Sequence, residues 1–157
     1  MPEGEFIGVV LGVLVVVVVV RTLTGAVLLR AAVALHNAAV ALNNKLACEA
    51  SSAHSVPEPA YRNAMRYIFD TTLAQMVAGY VIGAVAGPRE QYVHVDMVTL
   101  LIAVPVNLLI MAGILSERLP TTFGRAFLVT LWYTLLEILL VGAVAGIVVL
   151  VFRGGLR

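Results

Sequence analysis

Between Phe6 and Val20 the chain carries no polar side chain, and Val15–Val20 is an unbroken run of valine. A membrane-spanning barrel strand alternates apolar and polar residues, and this run does not. The remaining way to cross a bilayer is a helix, in which every backbone group is bonded within its own segment. About 20 residues at 1.5 Å rise cover the hydrocarbon core. Composition extends the argument to the whole chain. Of 157 residues 61% are hydrophobic and 12% charged, and the mean hydropathy is +1.01; soluble domains run at roughly half and a quarter. The expectation is an all-α integral membrane protein, with 1–157 as a single transmembrane domain built as a bundle of four antiparallel transmembrane helices.

The spans are expected at about 6–29, 68–87, 92–115 and 126–152, with 30–67 as a cytoplasmic helix and linker. Glu3 and Glu5 precede the first run and Arg21 ends it, the reverse of a cleavable signal with its positive start. The first span is therefore expected to be permanent. Residues 30–50 are alanine-rich and free of Gly and Pro, compatible with an extension of the first helix or with a helix lying on the membrane surface. Leu28, Leu35, Leu42 and Leu46, with Ala31/Ala32 and Ala38/Ala39 between them, mark its expected packing stripe. ASSAHSVPEPA, 50–60, is the one clear linker. Ser55 with Glu58 three residues later suggests a capping box opening the second helix.

Seven of the ten basic residues, including Arg30, Lys45, Arg62, Arg66, Arg118 and Arg125, fall on one side of this topology and three on the other. The positive-inside rule then places the large first loop in the cytoplasm and both termini outside, in a plasma (inner) membrane. A net charge of +1 argues against nucleic-acid binding. The single cysteine, Cys48, excludes an intrachain disulfide and any multi-cysteine metal site, and is expected to be an inert buried thiol. No H-E-x-x-H, G-x-S-x-G or phosphate-binding glycine loop occurs, and His94 and Asp96 lie on nearly opposite helix faces. No catalytic, metal or cofactor site is expected, and the protein is expected not to be an enzyme.

Two sets of residues stand out inside the spans. Glycines recur four apart: Gly4, Gly8 and Gly12; Gly79, Gly83 and Gly87; Gly142 and Gly146. Small residues at this spacing let helices approach closely where no hydrophobic force holds them together. In antiparallel order all three sets occupy the outer half of the bundle, which they are expected to pinch shut. The polar residues do the reverse. Arg21, Gln75, Asn107 and Glu137 lie about 10–16 Å from the cytoplasmic ends at 1.5 Å per residue, with Thr71, Thr72, Thr130 and Thr134 shallower in the same half. Charges at such depth are costly and face the bundle interior, pair or snorkel. Together these residues suggest a polar pocket opening to the cytoplasm.

Arg21 is nine residues from Gly12, and Glu137 nine from Gly146, so each charge lies half a turn from its glycine. The two can pair only if the first and fourth spans do not meet through those glycines. Asp70 is expected to pair with Arg66 one turn earlier. Pro105, two residues before Asn107, frees a backbone carbonyl and could break its helix at mid-depth, as transporters do. Trp132 and Tyr133 are expected to mark a membrane interface. The leading reading is a small non-enzymatic membrane protein serving assembly or scaffolding, or as an accessory subunit of a membrane complex. The alternative is an oligomeric transporter or channel subunit using the pocket around Glu137. The implied partners are the lipid bilayer and either further copies in a homo-oligomer or other membrane proteins.

Overall fold

A computed structural model describes residues 3–46, 55–86 and 97–154. It is all-helical: α1 (Glu3–Leu46), α2 (Tyr61–Ala86), α3 (Met97–Arg118) and α4 (Phe123–Gly154). Cys48, His54, Gly87, the turn at 88–91, His94 and Asp96 lie outside the described residues. Three helices are long and apolar enough to cross a membrane, over Leu11–Lys45, Leu101–Arg118 and Phe123–Arg153. The described part of α2 is not a fourth, because Asp70, Thr71, Thr72 and Gln75 dilute its middle.

Each helix packs on two neighbours in a closed ring: α1 on α2 and α4, and α3 on α2 and α4. α1 runs without interruption for 44 residues, so 30–46 continues the first helix. After it the chain returns to α1 through an extended strap, 55–60. There the Asn37 side chain grips the Val56 backbone on both sides. Its Nδ2 donates to the Val56 carbonyl, and its Oδ1 accepts from the Val56 N–H, both at 2.8 Å. Glu58 pairs with Arg30 at 3.3 Å.

The expected capping box is not the start of α2. Pro57 and Pro59 push the residues before them into extended backbone. The helix begins instead at Tyr61, with Ala64 N–H bonded to the Ala60 carbonyl at 2.9 Å. Nor does Pro105 break α3, which is continuous through it.

The buried residues of the helices fall within 22–36 of α1, 64–72 of α2, 111–115 of α3 and 126–133 of α4. This half of the bundle is tight because its contacts are small. Ala26, Ala32, Ala64, Ala112 and Ala126 are all fully buried, beside Leu29, Val33, Leu115 and Val129. On α1 the packing face is Leu29, Ala32, Val33 and His36, with Leu28 against its edge; of the expected stripe Leu28 and Ala32 pack, whereas Leu35 and Leu42 are exposed. The other half carries no buried residue among those described, and its valines and leucines face outward all round.

The glycine pattern follows the same division. A Cβ placed on Gly8, Gly12, Gly79, Gly83, Gly142 or Gly146 would meet nothing within 4 Å. Within one chain the expected pinch is not made; the surroundings of Gly4 and Gly87 are not described. The glycine that does pack is Gly25, where a Cβ would stand 2.8 Å from Ile68 Cγ2 and 2.9 Å from the Tyr133 hydroxyl. It lies in the tight half, where α1, α2 and α4 converge.

Candidate functional site: a polar layer at the middle of the bundle

Arg21, Gln75, Asn107 and Glu137, one residue from each helix, line a common cavity of about 170 Å³. Gln75, Asn107 and Glu137 sit near mid-length of α2, α3 and α4. Arg21 is the hub. Its Nη2 donates to Gln75 Oε1 at 2.8 Å and lies 3.8 Å from Glu137 Oε1. Gln75 passes the connection on, its Nε2 donating to the Asn107 backbone carbonyl at 3.5 Å. The half-turn offset between charges and glycines is the reason the pair can form: α1 and α4 approach through Gly25 and Tyr133, which leaves Arg21 and Glu137 on facing sides.

The threonines around the cavity are spent on their own helices. Thr130 and Thr134 donate to carbonyls four residues back, at 2.9 Å each; Thr71 and Thr72 do the same at 2.8 Å. The donor protons of these threonines are thus used, and the remaining side-chain donors at the cavity belong to Arg21, Gln75, Asn107 and Tyr133. At 3.8 Å the Arg21–Glu137 contact is an ion pair longer than a hydrogen bond. Among the described residues, the structure gives the Glu137 carboxylate no hydrogen bond. Both side chains remain over a third exposed, at 38% and 36%.

Two grooves extend the site. One of about 420 Å³ runs between α1 and α2, past Val13, Leu14, Val17 and Met76 to Arg21. The other, about 330 Å³, runs between α1 and α4, past Val17, Leu140 and Val141 to Arg21 and Glu137. Both walls are almost wholly apolar. On the opposite side of the layer lies the packed core of Leu29, Ile68, Leu115 and Val129. The open side therefore faces the glycine-bearing ends of the helices. This reverses the expected pocket, which was to open toward the loop-rich end and be closed by glycines. The physical reason is that alanines and Gly25 fill the loop-side half, while the glycines meet no neighbour.

Tyr133 departs from expectation too. It is 3% exposed and lines both the cavity and the α1–α4 groove, so it is part of the site and not an interface marker. Its spacing of four from Glu137 was the available signal, since it puts both on one helix face. Asp70 pairs with Arg118 of α3 at 3.2 Å and not with Arg66; a neighbouring helix offered better geometry than the next turn. Among the described residues no three of His, Cys, Asp and Glu cluster as a metal would require. At 30 Å³ each, about six water molecules would fill the cavity of about 170 Å³, as would a small polar guest. The chain matches no protein-family profile, no curated protein and no solved structure.

Proposed function

We propose that this chain is an integral membrane protein of non-enzymatic type, an antiparallel four-helix bundle that serves the assembly of a membrane complex as a scaffolding or accessory subunit. The observation that carries this reading is the mismatch between the core and the helices around it. The most apolar window of α4 has none of its residues buried, and that of α1 only 11%. Such surface is stable against lipid tails or other apolar helices and nowhere else. Antiparallel order is supported by the contacts themselves: Gly25 lies against Ile68, whereas Arg30, further along α1, reaches back to Glu58.

The positive-inside rule puts Arg30, Lys45, Arg62, Arg66, Arg118 and Arg125 in the cytoplasm and both termini outside, in a plasma (inner) membrane. Expected results are resistance to alkaline carbonate extraction and migration in mild detergent as a complex larger than one chain. Extraction by carbonate would overturn the membrane reading. A strictly monomeric species in mild detergent would overturn the assembly role.

One observation favours the second reading, a transporter or channel subunit: the cavity collects a polar side chain from every helix at mid-length, where transporters place their binding sites. Its test is solute or proton flux in proteoliposomes, abolished by Glu137→Gln without loss of insertion. Flux unchanged by that substitution would remove it.

A further inference from the structure

We infer that the α1–α4 groove is where a second copy of this chain docks, and that Arg21 and Glu137 of each copy complete their ion pairing across that contact. The inference rests on the membrane reading above and adds a surface, an occupant and a symmetry.

A requirement for some occupant follows from the charges. Arg21 and Glu137 lie at the floor of the α1–α4 groove, over a third exposed, with Val17, Val20, Leu140 and Val141 around them. A cation and a carboxylate left partly open to hydrocarbon at mid-span are unfavourable. Neither is saturated within the chain. Arg21 has five N–H donors, of which Nη2 serves Gln75 while the guanidinium also meets the Tyr133 hydroxyl, and among the described residues Glu137 is met by Arg21 at 3.8 Å, beyond hydrogen-bond length. Snorkelling does not remove the problem, because Arg21 is already committed sideways to Gln75 at 2.8 Å. A lipid tail cannot satisfy these groups. A polar group at the same depth can.

The identity of the occupant follows from the arrangement of the charges. The groove presents a cation on α1 and, level with it, an anion on α4. Such a face is self-complementary under one operation. With a two-fold axis parallel to the helices, α1 of one copy faces α4 of the other, so each Arg21 meets the other copy's Glu137 at the same height. Both contacts form at once, as an isologous interface requires, and both copies keep the same orientation in the bilayer. A two-fold axis in the membrane plane would instead set Arg21 against Arg21 and invert one copy. The outcome is a ring of four alternating charges, sealed from lipid by the valines and leucines of the groove walls.

The test uses full-length chains in membranes, with Cys48→Ser as background so that added cysteines are the only thiols. Val17→Cys in one chain and Val141→Cys in another are expected to cross-link on oxidation. A paired control on the far side of the bundle, Leu73→Cys with Leu109→Cys, is expected not to. Arg21→Glu alone and Glu137→Arg alone should each weaken the dimerisation constant at least about tenfold, equivalent to about 1.4 kcal/mol. Co-expressing those two chains puts opposite charges together at both contacts and should restore the dimer between them. A charge pair acting only within its own chain cannot be rescued in this way, since each chain then carries two like charges. Carbonate extraction is measured on every variant. Wild type that leaves the membrane fails the membrane reading. Val17→Cys and Val141→Cys chains that stay in the membrane yet give no 17–141 cross-link overturn the dimer, as does a larger complex whose only cross-links are to other proteins. Should the charge-reversed chains fail to insert, Arg21→Gln and Glu137→Gln take their place, and an unchanged dimer fraction in both overturns the inference.

Discussion

Gly25→Ala adds one methyl group at the point where α1, α2 and α4 converge. The new carbon would stand 2.8 Å from Ile68 Cγ2, 2.9 Å from the Tyr133 hydroxyl and 3.4 Å from Ile68 Cγ1. Carbon pairs are at rest at about 3.5–4.0 Å, so something must move by roughly 1 Å. Ile68 is 2% and Tyr133 3% exposed, and both are held by the core. Neither is a free end that swings away. Overpacking of this kind costs about 1–3 kcal/mol. Against it stands helix propensity, which favours Ala over Gly by about 1 kcal/mol. A single measurement would mix the two terms. Gly79→Ala separates them, because its Cβ would meet nothing within 4 Å and it carries the propensity term alone. The difference between the two variants should therefore equal the overpacking term, with Gly25→Ala less stable than Gly79→Ala by about 1–3 kcal/mol. The assay is reversible unfolding in mixed micelles with increasing denaturing detergent, followed by helical circular dichroism. Ile68→Ala removes two of the three atoms in the way and leaves the Tyr133 hydroxyl, so the cost of Gly25→Ala should shrink but not vanish in that background. Equal stability of the two glycine variants would refute close packing at Gly25.

Asn37→Ala strips both partners from the Val56 backbone, which is buried at 2% exposure. An expected loss of about 1–3 kcal/mol should appear as faster amide exchange at Val56 and faster proteolysis of 55–60; unchanged exchange there would show that Asn37 does not hold the strap. Arg118→Ala breaks the pair with Asp70, whose side chains are 49% and 32% exposed. Pairs so open to solvent contribute under about 1 kcal/mol, so its unfolding midpoint should barely move, and a large shift would mean that this end of the bundle is shielded. Glu137→Gln keeps the shape of the side chain but removes its charge. If the two-copy contact is made, Glu137→Gln should lower the dimer fraction while leaving helix content unchanged.

The helical class and the membership of the polar layer were legible in the sequence for the same reason. Apolar runs too long for any other element leave Arg21, Gln75, Asn107 and Glu137 as the conspicuous interruptions, and residues a few turns from helix ends converge when short loops join the helices. What was not legible was which small residues pack. Spacing of four picks out glycines, but a glycine packs only where a neighbour's side chain arrives, and that depends on crossing geometry. Gly25 has no glycine partner at that spacing and so gave no pattern, while the fully buried alanines are lost among the many alanines of the chain. On α1 the stripe holds at Leu28 and Ala32 and fails at Leu35 and Leu42, because leucine stands out in an alanine-rich helix whereas the strap at Val56 packs on the neighbouring face. For Asp70 the sequence offers only the local partner, Arg66, because a partner on another helix such as Arg118 carries no signal in spacing.

The polar layer also bears on how such helices find their register. In lipid, valine faces give little preference for one vertical offset over another, since tails are as apolar as the side chains they replace. The exposed half of this bundle, with Val15, Val16, Val19 and Val20 on α1 and Val144, Val148 and Val149 on α4, is degenerate in that sense. A slide of one turn, about 5.4 Å, would leave those faces nearly as well covered as before. It would not leave Arg21 in reach of Gln75 at 2.8 Å, nor Ile68 and Tyr133 over Gly25, where a Cβ would not fit. Register is thus set by a charged hub and one glycine, about one turn apart on α1, and the apolar bulk follows. The same reasoning applies between copies. Under the inferred docking, a second chain sliding along valine walls would have one height at which both Arg21–Glu137 contacts close together, so charges costly at mid-span would also make that contact specific.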